Sequence, residues 1–233
     1  MAIKRRDDRH EISFLAAFLG LVIAPYETTE TLLTMPRPKY GLRVVLTLFM
    51  TILIPIAAQM HYYQRNLYHP KAIASLMIVI ILTIVIFTLL ENVFLRIIGI
   101  KVNLAKLTST VCYSIAPLVV LIWIMYLLNY LATGNLSFLT IVLNGQAAED
   151  QSYTNVIPWA LTFGVGATFF VFFFAIRFLG DLFFTNALII TFLSLIPFYA
   201  AFVVGVLCGE LINPGTLESL RDMLETPMSM INI

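Results

Sequence analysis

Long runs of apolar residues constrain this chain more than any other feature. They occur at approximately Gly41–Met60, Ala72–Phe94, Leu107–Tyr130, Val156–Ile176 and Leu182–Cys208. A run of about 20 apolar residues wound as an α-helix crosses the roughly 30 Å hydrocarbon core of a bilayer. In lipid the backbone must satisfy its own hydrogen bonds, and for single apolar runs of this length the helix does so. The predicted fold is all-α: a polytopic integral membrane protein built as a five-transmembrane-helix bundle over residues 41–208. An N-terminal interfacial amphipathic segment (1–40) precedes the bundle, and a tail (209–233) follows it on the opposite face. Composition agrees, since 60% of the 233 residues are hydrophobic and 12% are charged, against about 25% charged in soluble domains.

The first apolar stretch, Ile12–Ala24, follows Lys4, Arg5 and Arg6, as the core of a secretory signal would. It also carries Asp7, Asp8 and Glu11 on its N-terminal side and runs into Pro25 rather than a small-x-small cleavage site, so it reads as retained. Being shorter than a span, it is expected to lie in the interface or re-enter the membrane as a helix. Pro25, Pro36 and Pro38 divide the stretch that follows, and Leu32 and Leu33 supply apolar anchors.

Charge sets the orientation. Of the 14 Lys and Arg residues, an N-in topology places Lys4, Arg5, Arg6, Arg9, Arg37, Lys39, Arg43, Arg96, Lys101, Lys106 and Arg177 inside. Arg65, Lys71 and Arg221 fall outside. Positively charged loops stay cytoplasmic, so the N-terminus is expected in the cytoplasm and the C-terminus across the membrane. The net charge of +1 leaves no clustered basic excess for a nucleic-acid partner. Cys112 and Cys208 both lie in apolar runs, where free cysteine behaves as a small packing residue.

Within the spans, Pro55, Pro117 and Pro197 each remove one backbone hydrogen bond and are expected to bend their helices. Gly205 and Gly209 form a GxxxG pattern, and Ala160 and Gly164 a looser equivalent; both permit close approach of a neighbouring helix. Phe169, Phe170, Val171, Phe172, Phe173 and Phe174 cover every side of one helix, which suits lipid contact and packing better than an aromatic box around a ligand. Beyond Pro214, Thr216 stands as a helix cap before Leu217, Leu220 and Leu224 at helical spacing, a short amphipathic helix that needs a membrane or a partner subunit to rest on.

Chemistry-bearing motifs are sparse. His10, His61 and His69 show no HExxH spacing, and the chain contains neither a P-loop nor a GxSxG elbow. The prediction is a non-enzymatic chain with no catalytic residue, metal or cofactor. Ionisable groups near membrane depth are the remaining candidates. Glu91 and Asn92 stand near the inner end of the second run with Arg96 beyond them, and Arg177 and Asp181 are spaced as an i,i+4 ion pair. The bland reading of all of them is interfacial snorkelling; the sharper one makes Glu91 part of a polar cavity or a helix-to-helix contact.

Two segments resemble a known family. Ala24 through Pro38 is similar to the proline-led amphipathic stretch that precedes the first span of Yip-domain proteins. Arg96-Ile97-Ile98-Gly99-Ile100-Lys101, followed by Leu104 to Pro117 ending Cys112-Tyr113-Ser114-Ile115-Ala116-Pro117, resembles that family's basic loop and the tyrosine-and-proline pattern of its third span. The resemblance implies five spans with the N-terminus inside. Eukaryotic members bind Rab-type GTPases through a long hydrophilic N-terminal region, which nothing before Gly41 resembles. The compact form is similar to prokaryotic members, which implies a bacterial inner membrane.

Three function classes follow. A membrane scaffold or accessory subunit, with membrane lipids and other membrane subunits as partners, fits the absence of catalytic motifs best. A transport component, working as a small-solute or lipid-handling permease subunit with an ATPase partner, would use the proline-bent helices to line a cavity. A lipid-modifying enzyme would need convergent His, Asp, Glu or Ser at one depth and ranks last.

Overall fold

The structure, a computed structural model, describes residues 13–34, 38–63, 70–133 and 156–214. Among them every regular element is an α-helix: α1 (Phe14–Ile23), α2 (Pro25–Thr34), α3 (Pro38–Tyr63), α4 (Pro70–Ile97), α5 (Leu104–Ser114), α6 (Ala116–Thr133), α7 (Val156–Leu179), α8 (Phe184–Leu193) and α9 (Leu195–Ile212). The basic cluster at Lys4–Arg9, the loop with Glu149 and Asp150, and the tail helix with Leu217, Leu220 and Leu224 lie outside the described residues.

Among the described residues four segments are long and apolar enough to cross a membrane: Ile73–Ile97, Leu104–Leu128, Thr162–Leu179 and Phe184–Ile212. The protein is therefore an integral membrane protein. The first predicted span lies in α3, a single helix of 26 residues and about 39 Å that runs through Pro55 without a break. Pro117 and Pro197 act differently. The helix ends one turn or less before each, at Ile115 and Ser194, and restarts at Ala116 and Leu195. A proline ring collides with the carbonyl four residues back and offers it no N–H, so the ladder yields there. The hydrogen bonds from the Val119 N–H to the Ile115 carbonyl (3.2 Å) and from Phe198 to Ser194 (3.1 Å) carry the chain across each bend.

Helix ends are set by local chemistry. The Ser13 hydroxyl caps α1 by accepting from the Ala16 N–H at 3.2 Å, and the Asn103 carboxamide caps α5 from Ala105 at 2.8 Å. Gly99, at φ +89, closes α4. The Ile100 N–H reaches back to the Leu95 carbonyl and Gly99 to Arg96, the paired bonds of a Schellman cap. Asp181 takes the same left-handed role after α7 at φ +48, with Leu182 bonded to the Arg177 carbonyl.

Helices α4 and α9 form the most extensive pair, and they run antiparallel: Ser75 meets Gly209, Thr83 meets Gly205 and Glu91 meets Ser194. Ala201, Gly205 and Gly209, four residues apart, are all buried on this seam. A β-carbon on Gly205 would stand 2.7 Å from the Thr83 hydroxyl and 3.0 Å from the Val79 carbonyl oxygen, so glycine sets the approach of the two backbones. Gly164 instead receives the side-chain tips of Leu118 and Leu121 of α6, and Gly41 lets α3 lie on Ser109 and Cys112 of α5.

The N-terminal helices pack into the bundle. Ala17, Phe18 and Leu21 of α1 are buried in one core cluster with Tyr40, Val44 and Leu48 of α3 and Ala116 and Val119 of α6. Leu15, Leu19, Val22 and Ile23 remain exposed, so α1 is apolar on both faces rather than amphipathic. Arg43 lies over the rings of Phe14 and Tyr40, and Arg177 over that of Tyr26 at 5.7 Å. These arginines, assigned to one side of the membrane by sequence, thus meet the same helical hairpin.

Candidate functional site

Glu91 is the most deeply placed ionisable side chain near the seam. It faces α9 in step with Phe87 and Leu95, one turn to either side, and is 0% exposed. Its Oε1 lies 2.8 Å from the Ser194 hydroxyl, and that hydroxyl also donates toward the Ile190 carbonyl at 2.9 Å. Ser194 occupies the break between α8 and α9, where the bend turns its side chain onto α4. Interfacial snorkelling therefore does not describe Glu91: its carboxyl is a helix-to-helix contact. Glu91 Oε2 and the Asn92 Oδ1 are buried with no hydrogen-bond partner among the described residues. Successive residues point about 100° apart on a helix, so the two do not converge.

The other sequence candidates separate. Arg96 is exposed in the last turn of α4, where its charge complements the negative end of the helix dipole. The expected Arg177–Asp181 ion pair does not form, because α7 ends at Leu179 and the turn carries Asp181 off the helical face that holds Arg177. Arg177 stacks on Tyr26 of α2 instead, a cation–π contact that also ties the hairpin to α7. Pro117 is buried in the first turn of α6. Gly205 and Gly209 both face α4, and the Gly209 carbonyl accepts from the Ser75 hydroxyl at 3.0 Å.

One turn toward the centre from Glu91 lies a cavity of about 70 Å³. Four phenyl rings share its walls with the aliphatic side chains of Ile84, Val111 and Ile115. Phe87 on α4 and Phe198 on α9 stand 5.6 Å apart, and Phe198 meets Phe169 of α7 edge-on at 5.2 Å. Phe172, beside Phe87, completes the cluster. The phenylalanine run was expected to serve lipid contact and packing, and its members divide between the two: Phe172 and Phe173 are buried, Phe169 is half-buried against the cavity, and Phe170 is exposed. Thr83, Ser114 and Thr168 also border the cavity, but its surface is almost wholly apolar, so their oxygens take little part in it. Ser114 donates to the Thr110 carbonyl at 2.9 Å and Thr168 to Gly164 at 2.9 Å, whereas the buried Thr83 oxygen has no partner.

Sequence reasoning missed Ser75, Thr83, Ser194 and Phe198. Ser194 carried a signal, being a hydroxyl residue three positions before a mid-span proline, where backbone groups freed by the bend attract side chains. Thr83 carried none, since a threonine within a span ordinarily bonds its own helix, as Thr88 and Thr191 do here. Among the described residues no three His, Cys, Asp or Glu side chains gather as a metal site would require. Compared with protein-family models, with curated proteins and with solved structures, the chain matches none.

Proposed function

We propose that this chain is a five-span, non-enzymatic membrane scaffold or accessory subunit, acting through contacts with lipid and with other membrane subunits. The observation behind this reading is where the buried polar groups of the spans are used. Glu91 with Ser194, and Ser75 with Gly209, tie α4 to α9, while Thr51, Ser109 and Thr191 turn back on their own helices. Groups spent on holding the bundle together leave outward contacts as the means of action. In the same reading α3 is the first span, supported by its length and by Leu42, Leu46, Met50 and Ile54 exposed along it as lipid-facing positions. The N-terminus is cytoplasmic and the C-terminus external, the membrane is a bacterial inner membrane, and the chain is a compact relative of the Yip-domain type.

Isolation from native membranes in mild detergent, followed by mass spectrometry, tests it. A stoichiometric membrane partner is expected, released when Thr216–Ile233 is removed while the spans still insert. Recovery of the chain alone at every detergent strength would overturn the reading.

A second reading, a transport component, is favoured by one observation: Ser114 and Ile115, at the break of one span, and Phe198, one turn beyond the break of another, border the same cavity. Discontinuous helices around a mid-membrane site are a recurrent feature of carriers. Co-isolation with an ATPase would select this reading over a scaffold.

A further inference from the structure

Helix α1 carries no polar side chain from Phe14 to Ile23. One side of it, Ala17, Phe18 and Leu21, is buried in a cluster with Val44 and Leu48 of α3 and Ala116 and Val119 of α6. Ala116 stands midway along the apolar segment Leu104–Leu128. Leu15, Leu19, Val22 and Ile23 recur at helical spacing on another side and are exposed. They continue an apolar surface, since the two helices beneath also turn apolar side chains outward, Leu46 and Met50 on α3 and Trp123 and Ile124 on α6. Helix α2 differs. Glu27, Glu30 and Thr34 share one exposed face, opposite the buried Thr29 and Leu32. A helix resting at the membrane surface turns a polar side to water; α2 has such a side and α1 has none. A cation marks each end of α1: Arg43 lies over Phe14, and Arg177 over Tyr26, just past the turn at Pro25. Arginine heads seek the headgroup level, so α1 begins and ends near one face. At 10 residues it is about 15 Å long, half of what a crossing needs.

From this we infer that α1 is immersed in the hydrocarbon of a single leaflet, where Leu15, Leu19, Val22 and Ile23 form a contact surface for lipid acyl chains, while α2 forms the boundary with water. The backbone at the ends of α1 suits such a position. Ser13 caps its first turn, the Ala24 N–H bonds the Gly20 carbonyl at 2.8 Å, and the Ala24 carbonyl accepts from Thr28 at 3.1 Å. Immersion therefore strands few polar groups in lipid. Thr28 fits against Gly20, which seats α2 on α1. The assignment holds whichever compartment that face meets, and whether the chain is a scaffold or a transport component.

The test uses the full chain in phosphatidylethanolamine–phosphatidylglycerol liposomes, with a nitroxide on single cysteines in a background without Cys112 and Cys208. Relaxation by oxygen, which concentrates in hydrocarbon, is compared with relaxation by a neutral nickel chelate, which stays in water. Leu19→Cys and Ile23→Cys should be oxygen-rich like the lipid-facing span positions Val85→Cys and Leu207→Cys, which also verify the fold. Their nickel access should fall at least about tenfold below that of Lys101→Cys in the α4–α5 turn, since a polar solute is depleted by that factor or more in hydrocarbon. Glu27→Cys and Glu30→Cys should be as open to nickel as Lys101→Cys. Nickel access at Leu19 and Ile23 equal to that at Glu27 would place α1 at the surface, and low access to both reagents would show a protein neighbour covering this face; either result overturns the assignment.

Discussion

Replacing Gly205 with alanine adds one β-carbon at the closest point of the α4–α9 seam. That carbon would sit 2.7 Å from the Thr83 Oγ1 and 3.0 Å from the Val79 carbonyl oxygen, where unstrained contacts are nearer 3.5–4 Å. Thr83 is β-branched and stiff within a helix, and the Val79 oxygen is backbone, so neither neighbour yields alone and the helices must part. Overpacking of this kind costs about 1–3 kcal/mol. Alanine recovers up to about 1 kcal/mol of helix propensity. The net expectation is a loss of roughly 1–2 kcal/mol. Gly166→Ala on α7 is the control, because nothing lies within 4 Å of its added carbon; it should be neutral or gain slightly. Equilibrium unfolding in lipid–detergent bicelles measures both. Thr83→Ala on the Gly205→Ala background should restore part of the loss, since one of the two collisions remains. If Gly205→Ala proves as stable as Gly166→Ala, the argument that glycine sets this helix spacing is wrong.

Two further outcomes are expected. Glu91→Gln keeps a hydrogen-bonding group against Ser194 and should change stability by less than about 1 kcal/mol, whereas Glu91→Ala opens a void and should cost about 2–3 kcal/mol more; equal effects would show that the Ser194 contact contributes nothing. For orientation, single cysteines at Ser152 and Lys101 on a background without Cys112 and Cys208 should label with an impermeant reagent from outside at Ser152 only, and labelling of Lys101 in intact cells would reverse the topology.

The place of four apolar segments was legible because span length follows from bilayer thickness, and GxxxG at Gly205 and Gly209 marked a true close approach. The prolines were legible as bends, but not which of them would break a helix. Pro55 and Pro197 look alike in sequence, yet α3 continues while α8 and α9 separate. Glu91 was readable as a polar residue in an apolar run. Its partner was not: Ser194 is 103 positions away, and no local pattern encodes an antiparallel register. Arg177 and Asp181 were misread because helical spacing holds only while the helix lasts, and α7 stops two residues short of Asp181. The apolar cavity beside Phe87 and Phe198 depended on four spans at once and left no trace in any one of them.

The two side-chain bonds of the α4–α9 seam sit at its opposite ends, Ser75 to Gly209 and Glu91 to Ser194. A slide of either helix by a single residue, about 1.5 Å, stretches both bonds together and drives Thr83 into the backbone beside Gly205. Rotation of α9 about its own axis fails too, since it turns Ser194 and Gly209 away at once. Sliding and rotation along this pair are therefore opposed by the two bonds and by the Gly205 contact together. Among the described residues, relative movement is least opposed where no such bond crosses, between this pair and the rest of the bundle.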